Sequence, residues 1–97
     1  MQQGEIVLVR LDPAKGAELG KLRPAIILTA QQILAQDQAL LFVCPLTTKV
    51  DPRYEALLVP IPARDNLLKN SYAAIPQCRS ISQRHVVNKT LARCTRK

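Results

Sequence analysis

An arginine set against a proline at the end of a glycine-bearing loop is the feature of this chain best suited to chemistry. The stretch Gly16-Ala17-Glu18-Leu19-Gly20-Lys21-Leu22-Arg23-Pro24 separates two short apolar runs, Glu5-Ile6-Val7-Leu8-Val9 and Ala25-Ile26-Ile27-Leu28. Both runs have the length and composition of strands. Gly16 and Gly20 allow a tight turn that β-branched residues could not follow. Pro24 fixes its own φ and drives Arg23 towards an extended backbone. A guanidinium held at a strand rim in this way offers a planar fork of donors that fits two phosphate oxygens. The competing reading is that Arg23 is one solvated cation among fourteen Lys and Arg.

The charge balance favours the first kind of partner. Fourteen basic residues against seven acidic ones leave a net charge of +7 and a pI near 9.9. In a domain this small that excess points to an anionic partner: RNA, DNA or an acidic protein segment. Much of it lies late, in Arg79, Arg84, Lys89, Arg93, Arg96 and Lys97. Cys44, Cys78 and Cys94 lack CxxC spacing and His85 is the only histidine, so no metal-ligand pattern is present. Cys44 and Cys78 read as small core residues, and Cys94 as a thiol in the tail. No apolar run approaches the roughly 18 residues of a membrane span. The opening Met1–Glu5 has neither a basic segment nor a long apolar one, and the expectation is a cytoplasmic protein without a cofactor.

The elements that must position Arg23 follow from the apolar pattern. Ninety-seven residues, 47% hydrophobic and 3% aromatic, predict one domain over 1–97 with an aliphatic core. A first strand is expected from Glu5 to Leu11, closed by Asp12-Pro13, and a second from Ala25 to Thr29. Gln31–Asp37 suits a loop with at most a short helical turn. Ala39–Cys44 is a continuous apolar run, expected to be a strand buried on both sides and ended by Pro45. A fourth strand is expected from Tyr54 to Ile61, then turn chemistry at Ala63–Asn66 and a reverse turn at Leu67–Ser71. Ser71 to Ile81 reads as one or two short strands interrupted at Pro76. Ser82 is a candidate cap for a terminal helix of Gln83 to Arg93. Short strands, tight turns and one final helix predict a mainly β fold, a small, partly open antiparallel barrel.

Three ordered blocks carry a resemblance. Gly4-Glu5-Ile6-Val7-Leu8-Val9, Leu11-Asp12-Pro13 and the Gly16, Glu18, Gly20, Arg23-Pro24-Ala25 loop resemble the N-terminal signature of MazF/PemK-type toxins. Val43-Cys44-Pro45-Leu46-Thr47-Thr48 is similar to that family's third-strand end, and Gln77-Cys78-Arg79-Ser80-Ile81 to its Q-[IV]-[RK]-[ST]-I segment. The blocks span Gly4 to about Ile81. The resemblance implies an SH3-like, plasmid-maintenance-toxin barrel that dimerises with itself and binds RNA across the interface. It also implies a metal-independent endoribonuclease that cuts single-stranded RNA at short motifs through the 2′-hydroxyl. An antitoxin with an acidic tail would block the groove, and any contact with DNA would be indirect, through that antitoxin.

By the same resemblance Arg23 is the catalytic arginine and Thr47 the hydroxyl donor. Attack of a 2′-oxygen on its own phosphate is already intramolecular. What remains is to move two protons and to stabilise charge on the phosphorane oxygens. A guanidinium can clamp two of those oxygens, and a threonine hydroxyl can hold the third or orient the 2′-hydroxyl. Thr48, Lys49, Lys21 and Arg53 are candidates for RNA or phosphate contact, and Glu18 for pairing with Arg23 or a nearby lysine. Arg79 reads equally as a groove cation or an outward strand charge. Gln77 could read a base edge or satisfy buried backbone groups.

The chain also departs from the family. One branch uses a histidine after the first loop glycine and an Arg-x-Asp triplet before the glutamine of the third block. Here Ala17, Ala74 and Pro76 stand at those positions, so only the Arg23–Thr47 arrangement is open to this chain. Val7 replaces a frequent aromatic near the start of strand one. Two alternative functions share the barrel. A gyrase-poisoning toxin is one, but such toxins end in a tryptophan and this chain has none. A non-catalytic SH3-like adaptor is the other, but it generally needs an aromatic groove that two Tyr and one Phe scarcely supply.

Overall fold

The computed structural model describes residues 2–11, 22–34, 40–50 and 52–93. Most of the glycine loop, residues 12–21, falls outside that range, and with it the expectations placed on Glu18 and Lys21.

The described chain is built on seven strands, β1 (Glu5–Arg10), β2 (Leu22–Ile27), β3 (Leu40–Thr47), β4 (Leu58–Ile61), β5 (Ser71–Ala74), β6 (Arg79–Ser82) and β7 (Val86–Arg93). One helical turn, α1 (Gln31–Leu34), follows β2. The strands form an open antiparallel sheet in the order β4-β5-β3-β2-β1-β7, with β6 also paired to β3. The expected open, mainly β architecture is what the structure has, and β3 is its hub. One edge of β3 pairs with β2. The other is divided, β6 taking Leu40–Val43 and β5 taking Leu46 and Thr47.

Three expectations about elements are corrected. The terminal helix is absent: Gln83–His85 makes one 3-10 turn and Val86–Arg93 is a strand. Ser82 makes no side-chain capping bond, and Val86 is already extended at φ −75° and ψ 118°. The β-branched Val86, Val87 and Thr90 suit a pleated edge better than a helix. There they pair with β1 through Val7↔Thr90 and Val9↔Val86, with two shifts of register on the way.

Pro45 does not end β3. The strand passes through it, because the missing N–H falls where β6 has left and β5 has not yet joined. Finally, Pro52–Leu57 is a 3-10 turn, so β4 holds only the last four residues of the expected fourth strand.

Strand alternation divides the core in two. Val7, Val9, Ala25, Ile27, Leu41 and Val43 pack on one face of the sheet. Ile6, Ile26, Cys44, Leu46, Ala73 and Ala92 pack on the other. Each fully buried Leu, Ile or Val contributes about 1.5–3 kcal/mol relative to exposure. Double-sided burial of β3 is confined to its second half, since Leu40 and Phe42 are exposed. Gly4 takes φ 91° to turn the chain into β1, a value that favours glycine. The buried Glu5 carboxylate accepts hydrogen bonds from the Gln2 N–H and the Thr90 hydroxyl, tying that turn to β7.

Candidate functional site

Hydrogen-bond parity along β2 and β3 determines how Arg23 and Thr47 meet. The Leu28 N–H donates to the Phe42 carbonyl at 2.8 Å, and the register runs through Ile26↔Cys44. Every second pair of an antiparallel ladder is hydrogen-bonded, so Pro24 and Leu46 fall opposite one another as a hydrogen-bonded pair. Ala25↔Pro45 is then a non-hydrogen-bonded pair, and the same register continued by two residues sets Arg23 beside Thr47 in another. Pairs of that second kind bring their side chains closest, on one face of the sheet.

Pro24 has no N–H to give the Leu46 carbonyl. Arg23 takes its place: Nη1 donates to Leu46 O at 3.2 Å. The proline therefore does more than extend its neighbour. It leaves an acceptor at the end of β3 that draws the guanidinium back over the strand carrying Thr47.

Thr47 is half-buried at the last position of β3. Its Oγ1 accepts from the Lys49 N–H at 3.1 Å, and its own proton points to the Lys49 carbonyl at a long 3.5 Å. The first contact orients the hydroxyl in the manner of a threonine turn. The second is weak enough for a better acceptor to replace.

Arg79 belongs to the same face. It pairs with Val43, whose side chain lies on the Arg23–Thr47 side of β3. Burial, and then repulsion from Arg79, lower the Arg23 pKa from its ordinary value. Two guanidinium groups held within each other's field favour an anion between them.

The floor of a cleft of about 350 Å³ is made by Leu46, Thr47 and Thr48. Leu22, Arg23 and Pro24 form one wall. The third side, Leu68, Lys69 and Ser71, was not expected from the sequence, where Leu67–Ser71 reads only as a turn. That wall is well anchored. Asp65 adopts φ 49° within a tight turn closed by Arg64 and Leu67, which exchange two backbone hydrogen bonds. Leu67 is buried, leaving Leu68 84% exposed at the cleft. Asn70 Oδ1 accepts from the Ala63 N–H at 2.8 Å, and Ser71 Oγ donates to Lys69 O at 3.1 Å. Two adjacent leucines of which only one can be buried were the available signal, but a place in the same cleft as Arg23 depends on long-range pairing.

Arg23, Thr47 and Thr48 thus line one cleft, with Lys49 exposed beside it. Arg79 acts on Arg23 through its charge, and Gln77 lies in the 3-10 turn (Ile75–Gln77) that leads towards β6. Neither is among the residues lining the cleft. Arg53 is exposed on the 3-10 turn before β4. Among the described residues that line the cleft, two are cations and none is a carboxylate. Among the described residues, no three His, Cys, Asp or Glu side chains gather in a way that could hold a metal ion.

A family model described as PemK-like, MazF-like toxin of type II toxin-antitoxin system matches residues 2–97. This chain belongs to that family. Crystalline MazF (Form-I) from Deinococcus radiodurans is similar in fold, with a TM-score of 0.78 and 25% identity over 98% of this chain and 82% of that one. Two crystal forms of MazE-MazF from the same organism also match. They give TM-scores of 0.72 and 0.71 at 24% identity, over 98% of this chain and 81% of theirs. No curated protein matches the chain. No helix among the described residues is long and apolar enough to cross a membrane.

Proposed function

We propose that this toxin is an endoribonuclease that cleaves single-stranded RNA in the cleft between β2, β3 and the Leu68–Ser71 segment. The observation that carries the reading is that Arg23 and Thr47 line one cleft, whose described lining residues include two cations and no carboxylate, with Arg23 tied to the Leu46 carbonyl beside Thr47. The scissile phosphate sits between the guanidinium and the hydroxyl. Arg23 keeps a donor on Leu46 O and turns others of its five N–H groups to the phosphoryl oxygens. As the 2′-oxygen attacks, charge grows on those oxygens, and the guanidinium stabilises it more than it stabilised the ground state. The Thr47 proton leaves its long contact with Lys49 O for the third oxygen or for the 2′-oxygen, while the Lys49 N–H keeps the hydroxyl oriented. The adjacent ribose supplies the nucleophile, so the reaction requires no metal.

Lys69 and Lys49 neutralise flanking phosphates, and Thr48, Gln77 and Arg79 extend the contact along the strand, as do Glu18 and Lys21 from the sequence between β1 and β2. Family membership supports an antitoxin partner, and the +7 charge suits one with an acidic tail. A second copy of the chain completes the RNA groove in this reading, and DNA is met only through the antitoxin.

The test is incubation of purified protein with a long single-stranded RNA in EDTA, followed by mapping of the ends. Discrete cuts leaving 2′,3′-cyclic phosphate and 5′-hydroxyl ends, lost in Arg23→Ala and strongly reduced in Thr47→Ala, are expected. Intact RNA, or gyrase-dependent DNA breaks in its place, would overturn the proposal.

A further inference from the structure

Behind the cleft, on the opposite face of β3, two thiols meet. Cys44 is 1% exposed, within the cluster of Ile26 and Leu46, and Cys78 packs against that cluster just before β6 while remaining partly open to solvent. The register Val43↔Arg79, continued by one residue, sets Cys44 opposite Cys78. Since the Leu28–Phe42 bond directs the even-numbered residues of β3 towards β2, this pair towards β6 is of the non-hydrogen-bonded kind. Such pairs hold their Cα atoms about 4.5 Å apart, inside the 4.4–6.8 Å range that a disulfide spans. The Cys44 thiol makes only a long contact with the Pro45 carbonyl, 3.8 Å, and Cys78 lies near enough to raise its pKa.

We propose that Cys44 and Cys78 form a two-electron redox site, closed to a disulfide by small-molecule disulfides and reopened by thiols. The more accessible Cys78 sulfur attacks one sulfur of the oxidant RSSR. A mixed disulfide forms, and RS⁻ departs with the Cys78 proton as RSH. Cys44 then attacks the Cys78 sulfur from the core side, its proton leaving with the second RSH. Two protein thiols lose two electrons and two protons, and one external disulfide becomes two thiols.

Burial, and then the neighbouring Cys78 thiol, push the Cys44 thiol up to about 12. The closing step is therefore slow near neutrality and quickens as pH rises, because the thiolate is the attacking form. Forming a sulfur–sulfur bond of about 2.0 Å turns both side chains towards each other and repacks the cluster around them, Leu46 included. Thr47 lies three residues beyond one sulfur and Arg79 directly after the other. On the nuclease reading above, closure shifts both and slows cleavage by at least roughly tenfold, since small misplacements at a site carry large costs.

The experiment uses the full chain carrying Cys94→Ser, exposed to glutathione disulfide at pH 7 and pH 9. Loss of two hydrogens per chain, a Cys44–Cys78-linked peptide, faster closure at pH 9 and full reversal by dithiothreitol are expected. Unchanged mass, or a single glutathione on Cys78 that never resolves, overturns the site. Cys78→Ser should abolish the two-hydrogen loss, and Cys44→Ala should stop at the single adduct. The first variant suffices should the second fail to fold. Cleavage is measured on the same samples. Equal rates before and after closure overturn the regulatory consequence alone. Absence of cleavage even in the reduced chain sinks the nuclease reading, while the mass result still decides the thiols.

Discussion

The two edges of β3 are built on different rules. Towards β2 a single partner runs antiparallel in one register from Ile27↔Val43 to Ala25↔Pro45. Towards the other side the strand is handed from β6 to β5, and Pro45 sits in the gap. The regular edge aligns side chains, and the residues proposed for catalysis lie on its continuation. The divided edge brings in distant segments, Arg79 from one partner and the Leu68–Ser71 wall ahead of the other. A regular ladder positions, and a broken one recruits.

The sharpest way to break the comparison is at the aligned pair. Arg23→Ala should lower RNA cleavage by about 10²–10³-fold, the cost of one preorganised donor to a developing oxyanion, with the fold retained by circular dichroism. An unchanged rate would show that the regular edge aligns nothing catalytic. Thr47→Val keeps the shape but removes both the donated proton and the acceptor for the Lys49 N–H. Its cleavage should fall by roughly ten- to a hundredfold, and its unfolding free energy by about 1 kcal/mol, the net worth of a hydrogen bond.

Pro24→Ala tests the tether. It restores an N–H to the Leu46 carbonyl, which then has two candidate donors, and the guanidinium loses its claim. Stability should change by no more than about 1 kcal/mol, while cleavage drops several-fold with a weakened dependence on Arg23 in the double variant. On the recruited side, Lys69→Ala should act least. RNA affinity should fall by a few-fold, with a shallower salt dependence by about one phosphate contact and little change in the rate at saturation.

That contrast also explains what could be read in advance. β1 and β2 were recognisable from Ile6–Val9 and Ala25–Ile27, because alternating or continuous apolar runs report local periodicity. Arg23 and Thr47 were recognisable from family blocks, and their juxtaposition needed only the register between neighbouring strands. β7 was not legible. Ser82 followed by polar residues imitates a helix start, and only the open edge of β1 decides for a strand. The third wall of the cleft was equally hidden, since nothing local in Leu68-Lys69-Asn70-Ser71 says which strand it will face. The passage of β3 through Pro45 depended on an absence of partners that no window of sequence contains.

The flank formed by β7 has a consequence for how copies of this chain can touch. Its pairing with β1 slips twice, between Ile6 and Val7 and again between Val7 and Val9. Irregularities of this kind bend an outermost strand and spoil the straight row of amides and carbonyls that an incoming strand would need as a template. Any neighbour that settles against this side must do so through side chains, and runaway growth of the sheet into a fibre is blocked from that direction.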